Sequence, residues 1–193
     1  MTEPARSSAP NPDRQERILD AVLHLLAHHG ISGVSARAVA REAGVALGLV
    51  NYHFGDKVGL IRAALRRVEE QDLALVEPDP LKLPEDRLRA ALRRVADPEF
   101  LTTEYLSLRL QLWALARANP EFAHLNTEAQ ARYRTMLAAL IRGARPGLPK
   151  AEAARRATDI DVLQNGLWLT ALLGLDQAAI RRTVRRSEEI AFA

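Results

Sequence analysis

The sequence predicts an all-α protein of about nine helices, with a three-helix N-terminal helix-turn-helix domain over residues 12–72 and a larger helical domain over residues 73–193. Three observations lead there. Apolar residues recur at three- and four-residue spacing along most of the chain, no stretch alternates with period two as a strand would, and cap, proline and glycine signals separate the periodic runs. No internal repeat at solenoid periods interrupts this pattern.

The first dozen residues, rich in Pro, Ser and Ala, read as a disordered segment or flexible arm. Asp13 then opens a helix in which Ile18, Ala21, Val22, Leu25 and Leu26 form one stripe, ending at Gly30. Ser35 caps a short second helix that turns Val39, Ala40 and Ala43 inward and leaves Arg37 and Arg41 outside. Gly44 supplies the positive φ of a sharp turn, and a third helix runs over about residues 46–54, with Val50 and Phe54 inward. Asp56 caps a fourth helix carrying Leu60, Ile61, Ala64, Leu65 and Val68. The run E-P-D-P-L-K-L-P at residues 77–84 ends it, because proline cannot continue a helix there.

Beyond Pro84 come helices over residues 85–96, 100–118, 120–143 and 150–173, with Asp97-Pro98 and Asn119-Pro120 as starts and Gly174 as a stop. Asp176 caps the last helix, which contains Ile180, Val184 and Ile190.

With 193 residues the chain can bury a core without metal or disulfide, and it has no cysteine. That excludes a disulfide framework, a thiol nucleophile and a cysteine-zinc site, and fits a cytoplasmic protein. No signal peptide opens the chain and no apolar run is long enough for a membrane span. The formal net charge is only +3, so any case for nucleic acid rests on where the cations point. The later arginine clusters, such as Arg181 to Arg186, read as solvated helix faces. His24 and His28 stand one turn apart, but no third ligand lies at a telling spacing, so no metal site is expected. No G-x-S-x-G, phosphate loop or H-E-x-x-H occurs, so no catalytic residue, cofactor or enzymatic activity is expected.

The turn between helices two and three is the layout in which a second helix enters the major groove and the first crosses the backbone. Leu47, Gly48, Asn51 and Tyr52 point outward on the third helix, with His53 at its margin. Asn51 can offer a donor and an acceptor to a base edge, Gly48 permits close approach, and Tyr52, His53 and Lys57 can donate to phosphates. Ser35 and Arg37, at the start of the second helix, complete the candidate set. By pattern alone the same helix-glycine-helix also occurs in many proteins that bind no DNA.

The run A-G-V-A-L-G-L-V-N-Y-H-F-G-D-K-V-G-L, residues 43–60, resembles the DNA-binding segment of TetR-family transcriptional regulators. In that family the residue matching Lys57 opens helix four and touches a phosphate, and the resemblance implies the same here. Two departures stand out. Asn51 replaces a tyrosine common at its position, and Ala46 replaces the serine or threonine that commonly caps the reading helix.

The apolar stretch D-V-L-Q-N-G-L-W-L-T-A-L-L-G-L, residues 161–175, needs cover on every side, either from its own monomer or from a second copy. TetR-like regulators pair through their last two helices, and N-G-L-W-L-T-A-L and the region around Leu112-Trp113-Ala114 resemble the BetI-like subgroup. The resemblance therefore implies a homodimer through the last two helices. The larger domain would then serve dimerisation and effector binding, with Tyr105, Arg109, Trp113, Gln164, Asn165 and Trp168 as candidate pocket residues. BetI-like proteins suggest a choline-type cation, for which an aromatic cage is apt. The expected function is a repressor that binds a palindromic double-stranded DNA operator and is released by a small molecule. The alternatives are a helical protein-interaction module and a DNA binder without an effector.

Overall fold

A computed structural model describes residues 12–174 and 176–193. The expected N-terminal arm lies outside these residues. Nine α-helices and one short 3-10 turn make up the regular structure, with no strand among the described residues. None of the helices is long and apolar enough to cross a membrane. The chain divides into two compact units between Ala64 and Leu65. That division falls inside the fourth helix, earlier than the expected boundary at residue 72.

The first unit contains α1 (Pro12–Gly33), α2 (Ala36–Ala43), α3 (Leu47–Phe54) and the opening turns of α4 (Lys57–Leu75). Its core is the expected stripe: Ile18, Val22, Leu26, Val39, Val50, Leu60 and Ile61 are almost completely buried. Gly30, at φ 61° and ψ −169°, interrupts α1, so the stop read from the sequence appears as a kink followed by one further turn. α2 packs on α1, and α3 packs on α2. Arg17 fastens the turn from below, its Nη2 donating to the Ala43 carbonyl at 2.6 Å.

The second unit holds the remainder of α4, then α5 (Pro84–Arg94), a 3-10 turn (Pro98–Leu101), α6 (Thr103–Ala118), α7 (Pro120–Ala144), α8 (Lys150–Leu172) and α9 (Gln177–Phe192). α8 is central: it packs on α6, α7 and α9. Leu88, Leu92, Leu137 and Ile141, with Ile160 of α8 itself, are fully buried in this unit's core, each such side chain worth about 1.5–3 kcal/mol. Trp168 is buried too, and its indole N–H donates to the Val95 carbonyl at 3.0 Å, as a buried indole requires.

One boundary needs correcting. The helix expected to start at residue 100 starts at Thr103, with the Thr102 hydroxyl accepting the Tyr105 N–H at 3.2 Å. Asp97-Pro98 instead begins the 3-10 turn, where Asp97 makes no side-chain cap. Asn119 and Asp176 cap α7 and α9 as expected, accepting from the N–H groups of Glu121 and Ala179.

Candidate functional site

Two sites emerge, one in each unit. In the first, local chemistry explains every turn of the chain. Ser35 Oγ accepts the Ala38 N–H at 3.1 Å and starts α2, and Gly44 stops it in the left-handed region at φ 63°. Val45 resumes at once, its N–H on the Ala40 carbonyl, and is half-buried in the angle between the helices. Ala46 then precedes α3 without a side-chain cap. Asp56 accepts the Gly59 N–H at 2.9 Å and opens α4. Gly59 is fixed by contact: a Cβ there would sit 1.8 Å from the Phe54 carbonyl oxygen.

This framework turns Val50 into the core at 1 % exposure and leaves Leu47, Gly48, Asn51 and Tyr52 on the outer face of α3. Tyr52 is 75 % exposed, an unusual state for a tyrosine with nothing outside to meet. His53 is half-buried and edge-on to the Tyr52 ring, with centroids 5.1 Å apart. A Cβ added at Gly48 would meet nothing within 4 Å, so that stretch of backbone is open to approach. Arg37 is exposed on α2. Lys57 is exposed on the first turn of α4, with Nζ 2.6 Å from the Ile31 carbonyl. All eight residues expected to contact DNA thus lie in one unit: Ser35 capping α2, Arg37 on it, five residues on α3 and Lys57 opening α4.

The second site is a partly open cavity between α4, α6, α7 and α8 of the second unit. Arg109, Trp113, Asn165 and Trp168, four of the six expected pocket residues, line it. The other two stand behind the wall. Tyr105 is buried and shares Asp72 with Arg109, while the fully buried Gln164 accepts the Tyr133 hydroxyl at 2.6 Å.

Arg109 dominates the pocket. Its guanidinium is stacked 4.0 Å from the centroid of Trp168 and 5.3 Å from that of Trp113, and the residue is only 6 % exposed. Burial opposes its charge, but Asp72 at 2.5 Å and the Tyr105 hydroxyl together outweigh that and raise its pKa. Burial pushes the hydroxyls of Tyr105 and Tyr133 well above the usual phenol range, so both remain neutral donors.

Sequence reasoning passed over the acids of this pocket. Asp72 from α4 and Asp161 from α8 line it beside Glu69, which is paired with Arg132. Burial raises the Asp161 pKa despite Arg134 nearby and a hydrogen bond from Asn165 at 2.9 Å. A signal existed for Asp72: it continues the Leu65, Val68, Glu69 face of α4 at helical spacing, where an acid needs a partner.

Comparison with known proteins adds the following. Residues 84–189 match the family described as BetI-type transcriptional repressor, C-terminal, and residues 18–64 match the bacterial regulatory proteins of the tetR family. The HTH-type transcriptional regulator BetI of Cronobacter sakazakii is 30 % identical over 84 % of this chain and 81 % of its own length. That of Paraburkholderia phytofirmans is 29 % identical over 83 % and 82 %. Among solved structures, a candidate transcriptional regulator from Pseudomonas aeruginosa PAO1 aligns with a TM-score of 0.80 at 25 % identity, over 96 % of this chain and 92 % of its own. One from Saccharomonospora viridis, solved in complex with choline, aligns with a TM-score of 0.71 at 24 % identity, over 93 % and 95 %.

Proposed function

Because the chain belongs to the TetR family of bacterial regulatory proteins and carries a BetI-type repressor C-terminal domain, we propose that it binds a two-fold operator as a homodimer and leaves it when a small molecule fills the second unit. The observation that carries this reading is the outer face of α3, where Asn51 and Tyr52 stand exposed beside an open Gly48 backbone on a helix whose other face holds the core.

Asn51 takes the base-reading role, offering its amide to an adenine edge in the major groove. Ser35, Arg37, Tyr52, His53 and Lys57 take the phosphates, with Lys57 exchanging the Ile31 carbonyl for a phosphate oxygen. Homodimerisation supplies the second reading helix about 34 Å away, one turn of DNA. Support for pairing through α8 and α9 comes from Val162, Gly166, Leu169 and Leu173. These residues fall at spacings of four, three and four along α8 and its end, and all are exposed.

The cavity around Arg109 takes the effector. An effector that prefers a conformation unable to hold both half-sites removes the protein from DNA in proportion to that preference. Choline, bound in the Saccharomonospora viridis relative, is a poor match to this pocket, because Arg109 already occupies the indole faces that would receive a quaternary ammonium.

The test is a titration of the full-length protein against the DNA flanking its own gene, with scrambled competitor and a salt series. A near-palindromic site bound specifically, and weakened about 10–100-fold by Asn51→Ala with the fold intact, is the expected result. Equal weak binding to every sequence, lost with salt, would replace this reading with a non-reading surface.

A further inference from the structure

Of the five N–H groups of Arg109, the structure accounts for one edge and leaves the other without a good acceptor. Nη1 donates to Asp72 Oδ1 at 2.5 Å and to the Tyr105 hydroxyl at 3.2 Å. Nη2 has only Asn165 Oδ1, at 3.5 Å, the limit of a hydrogen bond. Nε has no partner and is sealed from solvent. The Nε–H and the adjacent Nη2–H point the same way in the guanidinium plane, and that edge matches two oxygens of one carboxylate. A buried N–H without an acceptor is costly, so the edge is worth filling.

The charges around it agree. Glu69 is paired with Arg132, Asp72 with Arg109, and Asp161 lies 3.9 Å from Arg134. Arg66 lines the same cavity. Each acid lining the cavity therefore has an arginine within ion-pair distance, Arg132 and Arg134 reaching it from outside the lining, so no acid stands unneutralised against an anion. Leu65, Val68, Leu112 and Leu125 supply an apolar stretch of wall beside the polar Asn126 and Gln130.

We propose that the effector is an apolar carboxylate, whose two oxygens take the Nε–H and Nη2–H of Arg109 while its body lies on the leucines and Trp113. This rests on the reading of the cavity as the effector site. The carboxylate shares Arg109 with Asp72, so its arrival weakens the tie between α6 and α4. A primary amide answers only one of the two N–H groups, and a quaternary ammonium answers neither.

Phenylacetate, hexanoate, their primary amides and choline serve as probes, added to the full-length protein without DNA at constant ionic strength. Calorimetry and the ¹⁵N resonance of the Arg109 Nε–H, assigned by its loss in Arg109→Lys, are the readouts. At least one acid is expected to shift that resonance and to bind about tenfold or more tighter than its amide. Arg109→Lys keeps the charge but loses the fork, and is expected to bind the acid about tenfold or more weakly. Should that variant fail to fold, the acid–amide comparison in the unchanged protein still decides. Equal binding of acid and amide, a response to choline alone, or no response to either acid would overturn the proposal. Operator binding is measured separately. DNA binding that persists without any carboxylate response removes the ligand class alone, whereas a carboxylate response without DNA binding removes the regulator.

Discussion

Arg109 Nη1 lies 2.5 Å from Asp72 Oδ1, which joins α6 to the last turns of α4 through an ion pair whose arginine is 6 % exposed. Such a pair is poor evidence of stability by its presence, because desolvation offsets attraction, yet removing one partner strands the other.

Asp72→Ala is therefore expected to destabilise the protein by about 3 kcal/mol, the lower end for a buried pair because Asp72 itself is partly exposed. Asp72→Leu combined with Arg109→Met is expected to recover most of the loss. Urea unfolding of the unchanged protein, Asp72→Leu, Arg109→Met and the double variant measures this coupling, and strictly additive single changes would show that the two residues act independently.

Asp161 carries a pH signature. Burial raises its pKa above the ordinary 3.8, so the folded chain holds this proton more tightly than the unfolded one. Its contribution to stability is consequently greatest below 3.8 and is lost as pH rises through the folded value. Asp161→Asn removes the charge and can still accept from Asn165. It is expected to be more stable than the unchanged protein at pH 7, with the difference shrinking in acid, as urea midpoints across pH would reveal.

Two glycines of the DNA-binding unit separate packing from reading. Gly59→Ala drives a methyl against the Phe54 carbonyl, and is expected to cost about 1–3 kcal/mol or more, with operator affinity falling alongside stability. Gly48→Ala meets empty space within a helix and is expected to stabilise by about 0.5–1 kcal/mol while weakening operator binding. Thermal unfolding and DNA titration of both variants would expose any loss of stability at Gly48, which would contradict this division.

Leu169→Glu places a charge in the exposed apolar stripe of α8. Sedimentation is expected to show the unchanged protein as a dimer and this variant as a monomer with its helical content retained. A dimer unmoved by the change would put the interface on another face.

How much of this was legible follows from how far apart the determinants lie in the chain. Ser35, Gly44 and Asp56 act on neighbours within a few residues, so their caps and turns could be read directly. The start of α6 was misread because two cap signals, Asp97 and Thr102, compete five residues apart, and only the structure shows that Thr102 makes the bond. The pocket was half legible. Aromatics and polar residues within apolar helices marked α6 and α8, but the acid that holds Arg109 comes from α4, and nothing local announces which helices will meet.

The missing cap at Ala46 has a consequence for α3 as a physical object. The opening amides of this helix have no side-chain acceptor, so in the free protein their protons depend on water and exchange readily. A phosphate set at that end would supply the absent acceptor and meet the positive pole of the helix. If α3 is the helix that enters the groove, binding completes it, and slowed amide exchange at Leu47 and Gly48 on operator binding is the trace this would leave.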